Sequence, residues 1–365
     1  MAGKEAAGKD AKVSTILGKK PDVPLIYVGV DDGHYGTKVC LEDGTCLYMP
    51  SRAARGLHQV SDFGSNAPQD TAYSVEGDLY TVIENYALIE AEDPRFVKPA
   101  FPVSSLNRVL VNHALLRAGL SGKALAVVTG LPVGDFYQSG VKNERLIDAK
   151  VANLVDAKIE NKNPNVVLPK IVKHNVLSEG IAAFFDLLLD FDGNEKPETV
   201  RLIERRAMAF IDVGGKTTDI ALVIEGGKGI YSERSGTKQI GALNLNEKVG
   251  QRLKSRFDLN MPPPAKHVEE IIRDKEYMLF GETHDVSDIV DEEARNFAVA
   301  ISGELVRLVG NGEDVGSVVF VGGGSILLKP YFQEMYPKQA LFPENPEFAN
   351  ARGMMKAGKF IYRND

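Results

Sequence analysis

The chain has no long apolar run, since none approaches the ~20 residues that a membrane-spanning helix needs. Residues 1–24 are rich in lysine, alanine and glycine and lack the apolar core of a secretory signal, so we interpret them as a mobile N-terminal tail. Positive charge is not in excess either. The 43 lysines and arginines stand against 50 acidic residues, a net charge of -7, which does not favour broad attraction to nucleic acid. We therefore expect a cytoplasmic protein with no membrane contact and no direct DNA binding.

Cysteine is scarce, with only Cys40 and Cys46. Between them, Asp43-Gly44 is typical of a two-residue hairpin turn. Such a turn pairs Cys40 with Leu47, which puts the two cysteines on opposite faces of the ribbon. A disulfide between them is then geometrically poor, and two cysteines are too few for a four-ligand zinc site. We therefore expect a reducing compartment.

One pattern occurs twice, about half the chain apart: an apolar strand runs into Asp-x-Gly, and a second strand follows. The copies are Asp31 to Thr37, after Leu25–Val30, and Asp212 to Thr218, after Ala207–Asp212. An aspartate ending a buried strand is costly unless it is paired or near a cation. The glycine lets the backbone turn sharply and bring its N–H groups to an anion. A single copy also fits an ordinary hairpin turn. Two copies predict a pair of phosphate clamps with carboxylates for hydrated Mg²⁺.

Two other phosphate-binding signatures are absent. Gly215-Lys216-Thr217 resembles the end of a P-loop, but the first glycine of that motif would fall at Phe210. No G-x-G-x-x-G follows the strand at Leu25. A third glycine-rich turn, Val321 to Ser325, lets a nucleoside approach the backbone closely, although a helix-to-sheet packing turn has the same composition.

The repeated order of strands and helices predicts an α/β fold with an internal duplication. We predict a first domain at 25–200, with an inserted subdomain at about 51–104. The second domain is predicted at 201–365, with an inserted subdomain at about 241–314. Asp192 to Arg206 is interpreted as a connector. Apolar spacing predicts helices over Leu106–Ala118, Glu179–Asp190, Gly241–Phe257, Ile289–Val309 and Ala349–Ile361.

From Leu25 to the C-terminus, the chain resembles the actin-like ATPase superfamily and, within it, the ParM/StbA proteins that segregate bacterial plasmids. The similarity is weakest in the inserted subdomains. It implies an actin-like (ribonuclease H-like) fold, with two domains around a central nucleotide cleft. The segments that carry it are Val30 to Gly33 with Lys38, His113 to Leu116 with Gly119-Leu120, Thr129 to Tyr137, Leu177 to Glu179 with Ala182, Ile211 to Asp219, and Val319 to Ser325.

The resemblance also implies roles for the matching residues. Asp31 and Asp212 would hold Mg²⁺ through water, and Glu179 would orient the attacking water. From its position alone, Glu179 also fits an N-terminal cap of the helix that it opens. His34 replaces a small polar residue, so the two clamps are not expected to grip phosphate equally. The implied contacts to ATP or ADP are Asp32, Gly33, His34, Tyr35, Lys38, Gly214, Gly215, Lys216, Thr217, Thr218, Gly322, Gly323, Gly324 and Ser325, with Glu247 and Lys248 near the base or ribose.

The function implied by the resemblance is a filament-forming ATPase. Closed subunits would assemble head to tail, a heterologous contact that grows an open filament. Plasmid segregation would need an adaptor protein bound to centromere-like DNA at a filament end. Two alternatives stay open: a phosphotransferase or phosphatase of the same superfamily, and a non-polymerising assembly ATPase that acts as a chaperone-like switch.

Overall fold

The structure is a computed structural model that describes residues 25–58, 70–83, 90–155 and 158–362. The N-terminal tail predicted at residues 1–24 lies outside the described residues. Across the described ranges, no helix is both long and apolar enough to cross a membrane.

The described residues form strands and helices that alternate along the chain. In chain order the strands are β1 Ile26–Asp32, β2 Gly36–Leu41, β3 Cys46–Pro50, β4 Ala53–Arg55, β5 Ala72–Val75, β6 Asp78–Val82, β7 Ala124–Leu131, β8 Tyr137–Gln138, β9 Val141–Lys142, β10 Glu160–Asn161, β11 Lys170–Ser178, β12 Ala207–Val213, β13 Thr218–Val223, β14 Gly236–Lys238, β15 Glu276–Leu279, β16 Glu282–Asp285, β17 Val315–Val321 and β18 Ala340–Leu341. The helices are α1 Ser105–Arg117, α2 Val133–Phe136, α3 Glu144–Val155, α4 Ile181–Leu188, α5 Pro197–Arg205, α6 Ala242–Arg256, α7 Ala265–Asp274, α8 Ser287–Val309, α9 Gly323–Met335 and α10 Ala349–Tyr362.

Two five-stranded sheets share one plan. The first has the order β11-β7-β1-β2-β3 and the second β14-β13-β12-β17-β18. In the first, β1 is antiparallel to β2 and parallel to β7. In the second, β12 is antiparallel to β13 and parallel to β17. The central strands are apolar because both of their faces are covered, as Val28 and Val30 of β1 and Ile211 and Val213 of β12 show by their complete burial. The predicted duplicated α/β fold is confirmed.

The β2–β3 hairpin corrects the predicted register. Its loop has three residues, not two: the N–H of Leu41 donates to the carbonyl of Thr45 at 2.9 Å, and Gly44 has φ +87°. This is the three-residue loop whose last residue takes the left-handed conformation. The extra residue shifts the pairing by one, so Cys40 lies opposite Cys46 and forms a disulfide with it. The predicted poor geometry is therefore wrong, and the cysteines no longer argue for a reducing compartment.

Two further elements differ from the expectation. The helix predicted from Glu179 begins at Ile181, after Gly180 with φ +79° at its N-cap, so Glu179 precedes the helix and does not cap it. The connector predicted over 192–206 contains α5, with a proline at its first turn. Its buried positions, Thr199 and Ile203, are one helical turn apart and are surrounded by charged residues that hide the periodicity.

Helices α4 and α10 lie between the two sheets. On one side, α10 packs against β1, where Gly29 leaves room for the backbone of Ala351. On the other, Phe184 of α4 packs against Phe210 of β12. The two helices cross closely at Gly353, because a Cβ there would overlap the carbonyl of Ala182. The C-terminal helix thus packs on the first sheet although it follows the second in the chain. The predicted domain boundaries stay a prediction.

Smaller units lie beside each sheet. A four-stranded sheet of order β10-β5-β6-β4 accompanies the first, and its edge strand β10 comes from beyond the predicted insertion at about 51–104. The second is accompanied by α6, α7, the β15–β16 hairpin and α8, which fall within the predicted insertion at about 241–314.

Candidate functional site

A cavity of about 410 Å³ lies between the two halves, where the two Asp-x-Gly turns meet. Its volume is within the range of small-molecule pockets, roughly 300–1,000 Å³. Fourteen of the predicted site residues line it: Asp31, Asp32, Gly33, His34, Tyr35, Lys38, Glu179, Asp212, Gly214, Gly215, Lys216, Thr217, Gly323 and Gly324. Most of the two predicted clamps is therefore brought to a single cleft.

The first clamp combines a carboxylate and a lysine from adjacent strands. Asp31 lies in β1 directly opposite Lys38 of β2, and the lysine Nζ donates to its Oδ2 at 2.7 Å. Although burial lowers the pKa of Lys38, the carboxylate of Asp31 outweighs that effect and raises it. Lys38 therefore enters the cavity as a cation that is already paired.

Asp32, the next residue, makes different contacts. Its carboxylate accepts two hydrogen bonds from Lys150 of α3, at 2.9 and 2.7 Å, and one from Asn107 of α1, at 2.6 Å. Burial raises the pKa of Asp32, which Lys150 opposes. Asp32 was predicted as a nucleotide contact. In the structure, its carboxylate instead forms a buried ion pair with Lys150 in the cavity wall.

The second clamp begins with a buried aspartate. Asp212 accepts a hydrogen bond from Asn350 at 2.6 Å. Burial, and then the charge of Asp31, raise the pKa of Asp212 to about 6. Two carboxylates that disfavour each other's charge suit a shared cation. The described residues contain no group of three or more His, Cys, Asp or Glu side chains able to hold a metal. The pair of carboxylates fits a hydrated Mg²⁺, because that ion keeps several waters and takes few protein ligands.

The two clamps touch each other. A Cβ on Gly215 would overlap the Cβ of Tyr35, so only glycine allows the turns this close. His34 faces the same cavity, with its ring 5.0 Å from that of Phe101. Burial, and then Lys216, lower the pKa of His34 to about 4. The bulky residue of the first clamp is therefore a neutral ring packed inward.

Glu179 follows β11 and reaches the cavity beside Gly130 of β7. Its backbone N–H donates to Leu131 at 2.8 Å, which fixes it at the carboxyl ends of the parallel strands. Burial, followed by Asp219 and Asp31, raises the pKa of Glu179 well above its usual range. The side chain is positioned as a carboxylate of the site and not as a helix cap.

Asp219 was not predicted from the sequence. It does not line the cavity, but it contacts Thr217, which does. It pairs with Asp212 across β12 and β13, and it accepts hydrogen bonds from the N–H of Val133, at 2.7 Å, and from the hydroxyls of Thr217 and Thr237. Burial raises its pKa to about 7. Because Val133 begins α2 in the first half, this carboxylate joins the two halves beside Glu179.

The other end of the cavity differs from the prediction. Glu247 and Lys248 are exposed, and Glu247 pairs with Arg95 at 3.0 Å. The hydroxyl of Thr218 donates to the carbonyl of Ile240, and the hydroxyl of Ser325 donates to the carbonyl of Gly322. Thr218, Gly322 and Ser325 therefore shape the turns without lining the cavity. Residues that line this end and were missed are Asn246 of α6, Glu269 and Arg273 of α7, Ile326 and Leu327 of α9, and Glu347.

Helical periodicity could have indicated some of the cavity residues that were not predicted. Helical periodicity places Asn246 on the face of Val249, Gly250 and Leu253, all buried, whereas Glu247 and Lys248 turn outward. Glu269 and Arg273 are likewise one turn apart on α7, but that helix was not predicted.

Two family models match successive parts of the chain. Residues 26–190 match "Plasmid segregation protein ParM, N-terminal", and residues 210–334 match "Archaeal actin homologue MreB-like, C-terminal". Each match includes one of the Asp-x-Gly turns. Both halves of the chain are thus similar to actin-like proteins.

Relatives that span most of the chain are actin homologs as well. An archaeal actin homolog of Thermoplasma volcanium is 23% identical over 355 residues, which span 92% of this chain and 99% of the relative. The crystal structure of Ta0583, an archaeal actin homolog, has a TM-score of 0.74 at 22% identity and covers 92% and 100% of the two chains. Its complex with ADP has a TM-score of 0.72 at 21% identity, with the same coverage.

A filament structure is also similar. The 15-stranded ParM filament from Clostridium botulinum has a TM-score of 0.69 at 19% identity and covers 92% of this chain and 99% of the other. At these identities the structural likeness shows the fold, which is the actin-like fold.

Proposed function

We propose that this protein is an actin-like ATPase that polymerises head to tail with ATP and hydrolyses it to drive plasmid segregation. The observation that carries the proposal is the single cavity bounded by both Asp-x-Gly turns, by Glu179 and by the Gly323-Gly324 turn. Two similar structures support it, since that of Ta0583 is a complex with ADP and that of the Clostridium botulinum ParM is a filament.

The charges of the cavity favour a nucleotide that arrives with a divalent cation. Its lining carries six carboxylates but only four cationic side chains, three lysines and one arginine. A polyanionic nucleotide alone would add to this negative excess. Mg²⁺ held through water by Asp31 and Asp212 would neutralise the phosphates and the charge that develops on them.

The other groups divide between binding and hydrolysis. The N–H groups of the two glycine turns would contact the phosphates, together with Lys38 and Lys216. Glu179 would orient the attacking water, a role that depends on position more than on basicity. The adenosine would lie toward Gly323-Gly324 and α9.

The cellular part of the proposal rests on the family. A head-to-tail contact between identical subunits grows an open filament. Because the net charge of -7 does not favour DNA, plasmid attachment is assigned to an adaptor protein bound to centromere-like DNA. The proposed location is the cytoplasm.

The test is phosphate release and sedimentation of the full chain with ATP, ADP and a non-hydrolysable analogue, with electron microscopy of the pellets. ATP and the analogue should both give filaments, and only ATP should release phosphate. Glu179→Gln should still bind ATP and sediment, but with phosphate release lowered about 10²–10⁴-fold. ATP turnover without a pellet would reject the filament. A phosphorylated small-molecule product would favour the phosphotransferase alternative.

A further inference from the structure

Lys150 is a buried cation in the wall of the proposed nucleotide cavity. Its side chain is 1% exposed, and it lies in α3, a helix that carries no predicted site residue. Two of its hydrogen bonds go to the two carboxylate oxygens of Asp32. Burying an ion pair costs desolvation energy that the attraction often only balances, so packing stability is a weak reason for placing a lysine here.

The position of Lys150 is fixed from several sides. Asn107 donates to Asp32 at 2.6 Å and thereby holds the carboxylate that Lys150 grips. One turn further along α3, Asn153 accepts a hydrogen bond from Arg108 of α1 through its side chain, at 2.9 Å, and another through its backbone, at 2.8 Å. A charge held by such a network needs no reorganisation when a substrate binds.

Because Asp32 is part of the first phosphate turn, its bonds to Lys150 also hold that turn in place. Asp32 stands between Asp31, whose carboxylate pairs with Lys38, and Gly33, whose carbonyl accepts a hydrogen bond from Ser51 at 2.6 Å. The turn is thus held on one side by Ser51 and on the other by Lys150. Loss of the Lys150 contact would loosen only the second side, where Asn107 would still donate to Asp32.

Lys150 also acts on the catalytic end of the cavity. The pKa of Glu179 is raised by three nearby carboxylates, those of Asp219, Asp31 and Asp212. The positive charge of Lys150 opposes them and lowers that pKa. An ammonium has three N–H donors, and the bonds found for Lys150 in the described residues use two, both on Asp32.

We propose that Lys150 is a positioning residue for nucleotide hydrolysis, which fixes the first phosphate turn through Asp32 and supplies a buried positive charge to the cavity that Glu179 also lines. This inference rests on the proposed ATPase activity. It predicts a defect in turnover that exceeds any defect in nucleotide binding.

The experiment compares Lys150→Met, Lys150→Arg and the double variant Asp32→Asn/Lys150→Met with the wild type. Lys123→Met is the matched control, because Lys123 is exposed and precedes β7. The measurements are kcat and KM for ATP, affinity for a non-hydrolysable analogue, and thermal unfolding. Lys150→Met should lower kcat about 10–100-fold, the usual effect of losing a group that orients a catalytic centre, with KM within about threefold. Lys150→Arg should restore part of kcat.

The double variant separates positioning from stability. It removes both buried charges together, so it should unfold at a temperature closer to that of the wild type than Lys150→Met does, yet its kcat should stay low. Wild-type kcat in Lys150→Met, or recovery of both kcat and unfolding temperature in the double variant, would overturn the proposal. If Lys150→Met does not fold, the double variant and Lys150→Arg decide by the same criteria. A wild-type chain that binds ATP without releasing phosphate would instead reject the proposed function itself.

Discussion

Gly215 is the point where the two phosphate-binding turns touch, so an alanine there tests whether the closed cleft depends on that contact. A Cβ on residue 215 would overlap the Cβ of Tyr35 in the opposite turn. The turns would have to separate by about 1 Å to restore an ordinary carbon–carbon contact. Because the turns carry Asp31 and Asp212, this separation would move the two proposed Mg²⁺-binding carboxylates apart.

A misplacement of about 1 Å at a reacting centre costs on the order of 100-fold in rate, or about 2.7 kcal/mol of activation free energy. We therefore expect Gly215→Ala to lower kcat for ATP on the order of 100-fold while the protein stays folded. Small-angle X-ray scattering should show that it closes less than the wild type when nucleotide is added.

The matched control is Gly229→Ala, because a Cβ at that glycine meets no atom within 4 Å. It should leave kcat and closure unchanged. If Gly215→Ala turned over ATP and closed like the wild type, the two turns would not need to meet during the reaction, and the reasoning from their contact would be refuted.

Two predictions concern stability. Burial, and then Lys150, lower the pKa of His174 to about 3, below the ordinary unfolded value of 6.5. The unfolded chain therefore binds the extra proton first, and stability falls as the pH drops from about 6.5 toward 3, by up to about 1.4 kcal/mol per pH unit. His174→Gln should flatten this part of the dependence in urea unfolding at pH 5 and 7.5, and an equal slope would exclude His174 as its source. Cys46→Ser should lower the free energy of unfolding by about 2 kcal/mol, the value expected for opening so short a loop. The measurement is urea unfolding, with thiols counted by mass spectrometry, and an unchanged midpoint would contradict it.

The parts of the site that were predicted from the sequence are local in the chain. Each Asp-x-Gly turn follows its own strand within a few residues, so Asp31 and Asp212 could be recognised from neighbouring apolar runs and glycines. The same holds for α1, α6, α8 and α10, whose observed ends lie within two residues of the predicted ones. Local pattern and final structure agree in these segments.

The missed parts depend on contacts between distant segments. Lys150 and Asn107 both contact Asp32, although they lie 118 and 75 residues after it in the chain. No sequence pattern around Lys150 predicts this contact. The pairing predicted for the hairpin of Cys40 and Cys46 was wrong for another reason. Asp43-Gly44 fits a two-residue and a three-residue loop equally, and the choice reverses the face of every residue after it.

The duplicated fold gives each half the same turn, but one equivalent position differs in charge. Seven residues after the aspartate of each clamp stands Lys38 in the first copy and Asp219 in the second, and each lies directly opposite that aspartate across an antiparallel pair. In the first copy, the lysine neutralises Asp31 at 2.7 Å. In the second, two facing carboxylates both have raised pKa values, Asp212 to about 6 and Asp219 to about 7. The lysine of the first copy suits the phosphates of a magnesium nucleotide. The two carboxylates of the second copy suit its metal ion. For the proposed magnesium nucleotide, we therefore expect Lys38 of the first half to favour the phosphates, and the second half to attract the shared cation more strongly than the neutralised Asp31 does. Duplication alone would not produce this division.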